Sequence, residues 1–155
     1  MMPYRRNNPA KAFLMQYRGL TVMLESLRRN IERMRESLTS ITAPIKDDPV
    51  QASGQQDRMA ATIAAIIDAE AGYAESMRRA MEQQRMILVA IESVPDATQR
   101  AVLALRYIDG LDWISVADKV GYAERQTFVL HGRGLAEVNK WLAKTAQENA
   151  VVNVL

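Results

Sequence analysis

The 155-residue sequence predicts an all-α protein: a long antiparallel helical hairpin of coiled-coil type, followed by a three-helix domain of the helix-turn-helix kind. Three observations predict it. Apolar residues recur at alternating spacings of four and three over two long stretches, the period of a helix that buries one stripe. Aromatic residues make up only 6% of the chain and glycine and proline are few, which disfavours a many-turned β protein. Proline and capping residues then cut residues 95–145 into short helical segments.

Residues 1–9 read as a basic arm carrying Arg5 and Arg6. Beyond it the apolar positions are Phe13, Tyr17, Leu20, Leu24, Leu27, Ile31, Met34, Leu38 and Ile41, and the charged Arg28, Arg29, Glu32, Arg33, Arg35 and Glu36 fall between them. A stripe with a charged back predicts a first helix over about residues 10–41, ~48 Å long at 1.5 Å per residue. Two prolines, a glycine and polar residues predict a loop over 42–56. Its Asp47-Asp48 pair, with no histidine or further carboxylate at ligand spacing, reads as a solvated loop end rather than a metal site.

Asp57 is the expected cap of a second helix. Its seam runs Met59, Ile63, Ile66, Glu70, Tyr73, Met77, Ala80, Gln84, Ile87, Ile91, Val94, with Glu70 and Gln84 as polar interruptions of the kind that set register or oligomeric state. Residues 10–94 thus form a hairpin or coiled coil. Zipping within one chain is the simplest arrangement, and pairing of the same stripes between chains remains open at this point. The methionines of these helices read as core filler.

Val94-Pro95-Asp96 breaks the coil and caps a helix that ends near Asp109-Gly110. Asp112 caps a short helix from Trp113 to Val120, stopped by Gly121. Helical spacing resumes from Glu124 to Leu142 at Thr127, Leu130, Leu135, Val138 and Trp141. Two helices joined by a short glycine-containing turn, behind a supporting helix, make a helix-turn-helix over 95–145, with 146–155 as an apolar tail. In that motif the second helix enters the major groove of double-stranded DNA. Glu124, Arg125, Gln126 and Val129 would face base edges, and Arg133 and Lys140 would touch phosphates. Ala117 is the expected small residue at the helix crossing.

The stretch VPDATQRAVLALRYIDGLDWISVADKVGYAERQTFVLHGRGLAEV resembles region 4 of bacterial sigma factors at Pro95, Arg106, Tyr107, Gly110, Ala117, Gly121 and Leu135. With a coiled coil in front, the whole chain is similar to phage-encoded transcription regulators of the RinA and ArpU type. The resemblance implies a sequence-specific regulator of transcription from a phage or prophage. The chain departs from the pattern at Ser115, where glutamate is usual, and at Phe128, where a polar residue is common. Gly132 and Gly134 each cost a helix ~1 kcal/mol relative to alanine. A weak single reading head would be offset by two copies held in a homo-oligomer.

Other classes find little support. Without cysteine there is no disulfide frame or thiolate metal site, and the expectation is a cytoplasmic protein. No signal-peptide core and no membrane-length apolar run is present in the sequence. The single histidine, His131, has no partner at catalytic spacing and reads as a structural helix residue. Gly132-Arg133-Gly134 lacks the lysine spacing of a phosphate loop, so neither an enzyme nor a cofactor is expected. Residues 1–38 carry eight Arg/Lys against three Glu, so Arg5, Arg6, Lys11 and Arg18 form either a nucleic-acid arm or a solvated basic end. Two further readings stand beside the regulator. One is the DNA-recognising small subunit of a phage packaging terminase, and the other is a sigma region 4 mimic that docks on RNA polymerase.

Overall fold

In the computed structural model the residues described, 8–42 and 49–154, form five helices and no strand. They are α1 (Pro9–Ile41), α2 (Pro49–Glu92), α3 (Ala97–Tyr107), α4 (Trp113–Val120) and α5 (Glu124–Val152). The chain is all-α as expected, and no helix among the described residues is long and apolar enough to cross a membrane. Arg5, Arg6, Asp47 and Asp48 lie outside the described residues.

α1 starts where the Asn8 side chain accepts the N–H of Ala10 at 3.0 Å and of Lys11 at 3.3 Å. Pro9 follows as the first helical residue, where its missing N–H is not needed. α2 starts at Pro49, upstream of the expected cap at Asp57, so residues 49–56 of the expected loop are helical. Proline is tolerated in a first turn for the same reason, and Gly54 costs a helix this long only ~1 kcal/mol.

Contacts divide the chain into two units, residues 20–80 and residues 1–19 with 81–155. The first contains only segments of α1 and α2, so each covers the stripe that the other buries. On α1 the covered positions are Leu20, Leu24, Leu27, Ile31, Met34, Leu38 and Ile41, as the spacing predicts. On α2 they are Ala52, Gln55, Met59, Thr62, Ile66, Ala69, Tyr73, Ser76 and Ala80, whereas Ile63, Glu70 and Met77 of the expected seam are exposed. The two seams share one heptad position and differ in the other. Size explains the choice: the bulky Leu, Ile and Met of α1 pack best against Thr62, Ala69 and Ser76. Arg35 pairs with Glu70, and the Gln55 amide donates to the Ile41 carbonyl. Along these contacts the residue numbers of the two segments change in opposite senses.

The second unit is built on two clusters. Val102, Val116 and Leu130 pack together with Leu105, Leu111, Trp113 and Val120 around them. The larger cluster joins Leu103, Tyr107, Leu135 and Val138 to Ala10 and Leu14 of α1, to Ile87, Ala90 and Ile91 of α2, and to Val94 just beyond it. The ends of the two long helices are therefore part of the core of residues 95–142, and the contact boundary falls after Ala80 rather than at Val94-Pro95. Asp96 caps α3 by accepting the Gln99 N–H at 2.8 Å, and Asp112 caps α4 through the Ser115 N–H at 2.8 Å. The latter bond holds the Asp112 carboxyl below its usual range. Arg100 donates to the carbonyls of Val94 and Pro95 at 2.7 and 3.0 Å, tying α3 to the end of α2.

α3 and α5 meet closely at Gly134. A β-carbon there would lie 3.0 Å from Cδ1 and 3.2 Å from Cγ of Leu103, a fully buried side chain, whereas one at Gly132 would meet nothing. The two glycines, alike in sequence, are opposite in function. Gly132→Ala is expected to raise unfolding free energy by up to ~1 kcal/mol, the helix-propensity gain. Gly134→Ala, where overpacking of ~1–3 kcal/mol opposes that gain, is expected to lower it. Urea titrations of the two variants check the signs.

Candidate nucleic-acid interface

α4 ends at Gly121, which takes a left-handed conformation (φ 75, ψ 29) and donates its N–H to the Ala117 and Asp118 carbonyls. The Tyr122 N–H also returns to Ala117 at 3.2 Å, and α5 begins at Glu124 with Ala123 in its cap position. Only residues 121–123 separate the helices, and φ 75 is a conformation that glycine adopts without penalty. Ala117 is buried, as expected for a close crossing. Ala123 offers no side-chain cap, but the buried Thr127 hydroxyl donates to the Ala123 carbonyl at 3.0 Å. Glu124 sits in the first turn, where a carboxylate also favours the helix dipole.

An aromatic cluster fastens α5 to its support. The Tyr107 hydroxyl and His131 Nε2 share a hydrogen bond of 2.7 Å. The His131 ring meets Trp113 edge-on with centroids 4.7 Å apart, and Phe128 lies 4.9 Å from the same indole. The Arg106 guanidinium stacks 4.9 Å above Trp113 and donates to the Leu111 carbonyl at 2.8 Å. Burial pushes the Tyr107 hydroxyl up to about 12. It pushes His131 down to about 4, helped by the positive charges of Lys11 and Arg106. Both groups are therefore neutral at pH 7. Phe128, which looked misplaced on a reading surface, packs one side of its ring on Trp113 while remaining partly exposed.

With Thr127, Leu130, Gly134, Leu135 and Val138 turned inward, the other face of α5 is open. Glu124, Arg125, Gln126 and Val129 are all exposed at its beginning, and Arg133, Ala136 and Lys140 continue the stripe. Lys144, four residues beyond Lys140, extends it and was not singled out from sequence, although the spacing was there to find it. Lys140 is engaged, 2.8 Å from Glu137. Arg125 and Arg133 form no ion pair or hydrogen bond among the described residues. Several arginines of the long helices differ: Arg28, Arg78 and Arg85 sit 2.7–2.8 Å from Glu25, Glu75 and Glu82.

Sequence gave no hint of Asn139. Its side-chain oxygen accepts the Ala10 N–H at 2.8 Å, and its amide donates to Asn8 at 3.2 Å, tying the start of α1 to α5. A lone asparagine in a helix carries no spacing signal. Among the described residues no group of three or more His, Cys, Asp or Glu side chains is arranged to hold a metal ion. α5 runs to Val152, so most of the expected tail is helical, and Val151, Val152 and Val154 are exposed.

A family model described as a protein of unknown function, DUF1492, matches residues 40–139. No curated protein and no solved structure matches the chain.

His131 makes stability depend on pH. Its folded value near 4 lies below the ordinary 6.5, so its contribution is complete above about pH 6.5 and is lost as pH falls towards 4. Between pH 7 and 5 unfolding free energy is expected to drop by ~1–2 kcal/mol. His131→Gln should flatten that part of the profile, measured by urea unfolding at a series of pH values.

Proposed function

We propose that this chain, which belongs to the DUF1492 family, is a DNA-binding regulator of transcription that reads the major groove with the first turns of α5. The observation carrying this reading is the outward face of α5. It presents Arg125 and Gln126 without internal partners, beside Val129, on a helix whose opposite face is locked into a core. In this reading α4, residues 121–123 and α5 act as a helix-turn-helix, with α3 as the support. Arginine suits guanine, glutamine suits adenine and an apolar side chain suits the thymine methyl, while Glu124 accepts from cytosine. Arg133, Lys140 and Lys144 lie further along the helix, where phosphates would meet them, and Lys140 would exchange Glu137 for a phosphate oxygen.

The remainder of the proposal follows. α1 and α2 form an antiparallel hairpin that carries the oligomer contact, Arg5 and Arg6 add phosphate contacts, and the protein acts in the cytoplasm without catalysis or a cofactor. The resemblance to sigma region 4 and to RinA- and ArpU-type regulators supports a phage or prophage setting. A second reading, docking on RNA polymerase, is favoured by one feature: Ile114, Tyr122 and Phe128 expose apolar surface near the same turn.

Selection of retained fragments from random duplex DNA, followed by sequencing, tests the choice. The expected result is enrichment of one motif. Arg125→Ala with Gln126→Ala should weaken binding to that motif at least tenfold, at ~1–3 kcal/mol for each bidentate contact. Arg133→Ala should weaken all sequences alike and reduce the salt slope by ~1. Absence of retention at low salt would remove the DNA-binding reading and leave the polymerase contact.

A further inference from the structure

Within residues 20–80, α2 carries a second apolar stripe besides the one α1 covers. It comprises Ala60, Ile63, Ile67, Glu70, Ala74 and Met77, at spacings of three and four, all exposed. Ile67 is 60% exposed, Ile63 41% and Met77 40%. Isolated apolar residues on a helix surface need no explanation, but a stripe that keeps heptad register over several turns has the form of a coiled-coil seam.

We propose that a second copy of this chain docks on this face, α2 against α2 and antiparallel, with Ile67 of each copy packed on Met77 of the other. Charge selects both the partner and the direction. Residues 57–70 hold Asp57, Asp68 and Glu70 against Arg58 alone, whereas residues 75–79 hold Arg78 and Arg79 against a single Glu75 that both approach, which leaves one positive charge in excess. Parallel copies would set Arg78 beside Arg78 and Asp68 beside Asp68. Antiparallel copies bring the acidic stretch of each within about one turn of the basic stretch of the other. Exposed Ala64 and Ala71 border the stripe and leave room for close approach. Glu70 falls opposite Ala74, and its charge is already matched by Arg35 of its own chain. One polar layer of this kind fixes register at some cost in stability. This deepens the oligomer part of the proposed function, and it is tested without DNA so that its failure leaves the DNA reading untouched.

The chain has no cysteine, so introduced thiols are unique. Ile67→Cys protein mixed with Met77→Cys protein and oxidised is expected to yield covalent dimers joining the two variants. Each variant alone should yield few, because antiparallel pairing separates like positions by ~15 Å, ten residues at 1.5 Å, beyond disulfide reach. Ile67→Lys should weaken self-association at least tenfold in sedimentation equilibrium, with helical circular dichroism unchanged. Where that variant loses helix, the cysteine mixture decides. Equal cross-linking by either variant alone, or a single-chain mass for the unaltered protein at 100 μM, would overturn the proposal.

Discussion

The approach of α5 to α3 at Gly134 sets the orientation on which the candidate interface depends. A β-carbon at Gly134 would crowd the Leu103 side chain at 3.0 Å. Glycine lets the α5 backbone come this near without displacing Leu103, and the side chains one turn to either side are then carried into the core. Leu130 joins one cluster and Leu135 and Val138 the other. Burial of each such leucine or valine contributes ~1.5–3 kcal/mol, against the ~1 kcal/mol that a glycine costs the helix. Once that face is fixed inward, the helical period turns residues 125, 126, 129, 133 and 140 outward. The open face of α5 is therefore a consequence of packing on its opposite side.

A second fastening keeps the start of α5 from rotating on that contact. Trp113 is touched by Phe128 and His131 of α5 and by Arg106 of α3, so one indole joins three helices. Tyr107 completes the cluster by its bond to His131. The Tyr107 hydroxyl and His131 Nε2 satisfy each other, and among the described residues no fully buried side-chain nitrogen or oxygen lacks a partner, which lets neutral histidine and tyrosine lie beside apolar surface. Phe128 belongs to this fastening as much as to the outer surface. That dual position accounts for an aromatic residue on the outer face of the proposed reading helix.

Much of this was legible in the residues, and the places where it was not have a common cause. The seam of α1 stood out because its large apolar residues recur without interruption. The caps at Asp96, Asp112 and Gly121 stood out because capping is local chemistry, decided within three or four residues. The seam of α2 was placed one position off at alternate steps. Ile63 and Met77 are the more apolar choices, but the bulk of the α1 side chains favours Thr62 and Ser76. Hydrophobicity alone does not report the size of an unseen partner. The same limit hid the difference between Gly132 and Gly134, and it hid Asn139, whose partner is 129 residues distant. The start of α2 is hidden for another reason: proline and glycine break a helix interior, whereas proline is well suited to the first turn, where Pro49 stands.

Charge ties this packing to the proposed function. A net charge of +2 over the whole chain exerts little pull on a polyanion, but the total conceals cations in unlike settings. On α1 and α2 the guanidinium groups of Arg28, Arg78 and Arg85 each have a glutamate three residues before them, in exposed pairs that add little to stability and offset part of the local charge. On α5 the residues three before Arg125 and Arg133 are Tyr122 and Leu130, so no carboxylate stands at that spacing. At physiological salt the screening length is ~8 Å, which restricts attraction to charges brought close to the phosphates. A helix that enters a groove brings its own face close and leaves the rest of the molecule outside that distance. In the proposed reading, Arg125 and Arg133 on the outer face of α5 therefore matter more than the net charge of the chain.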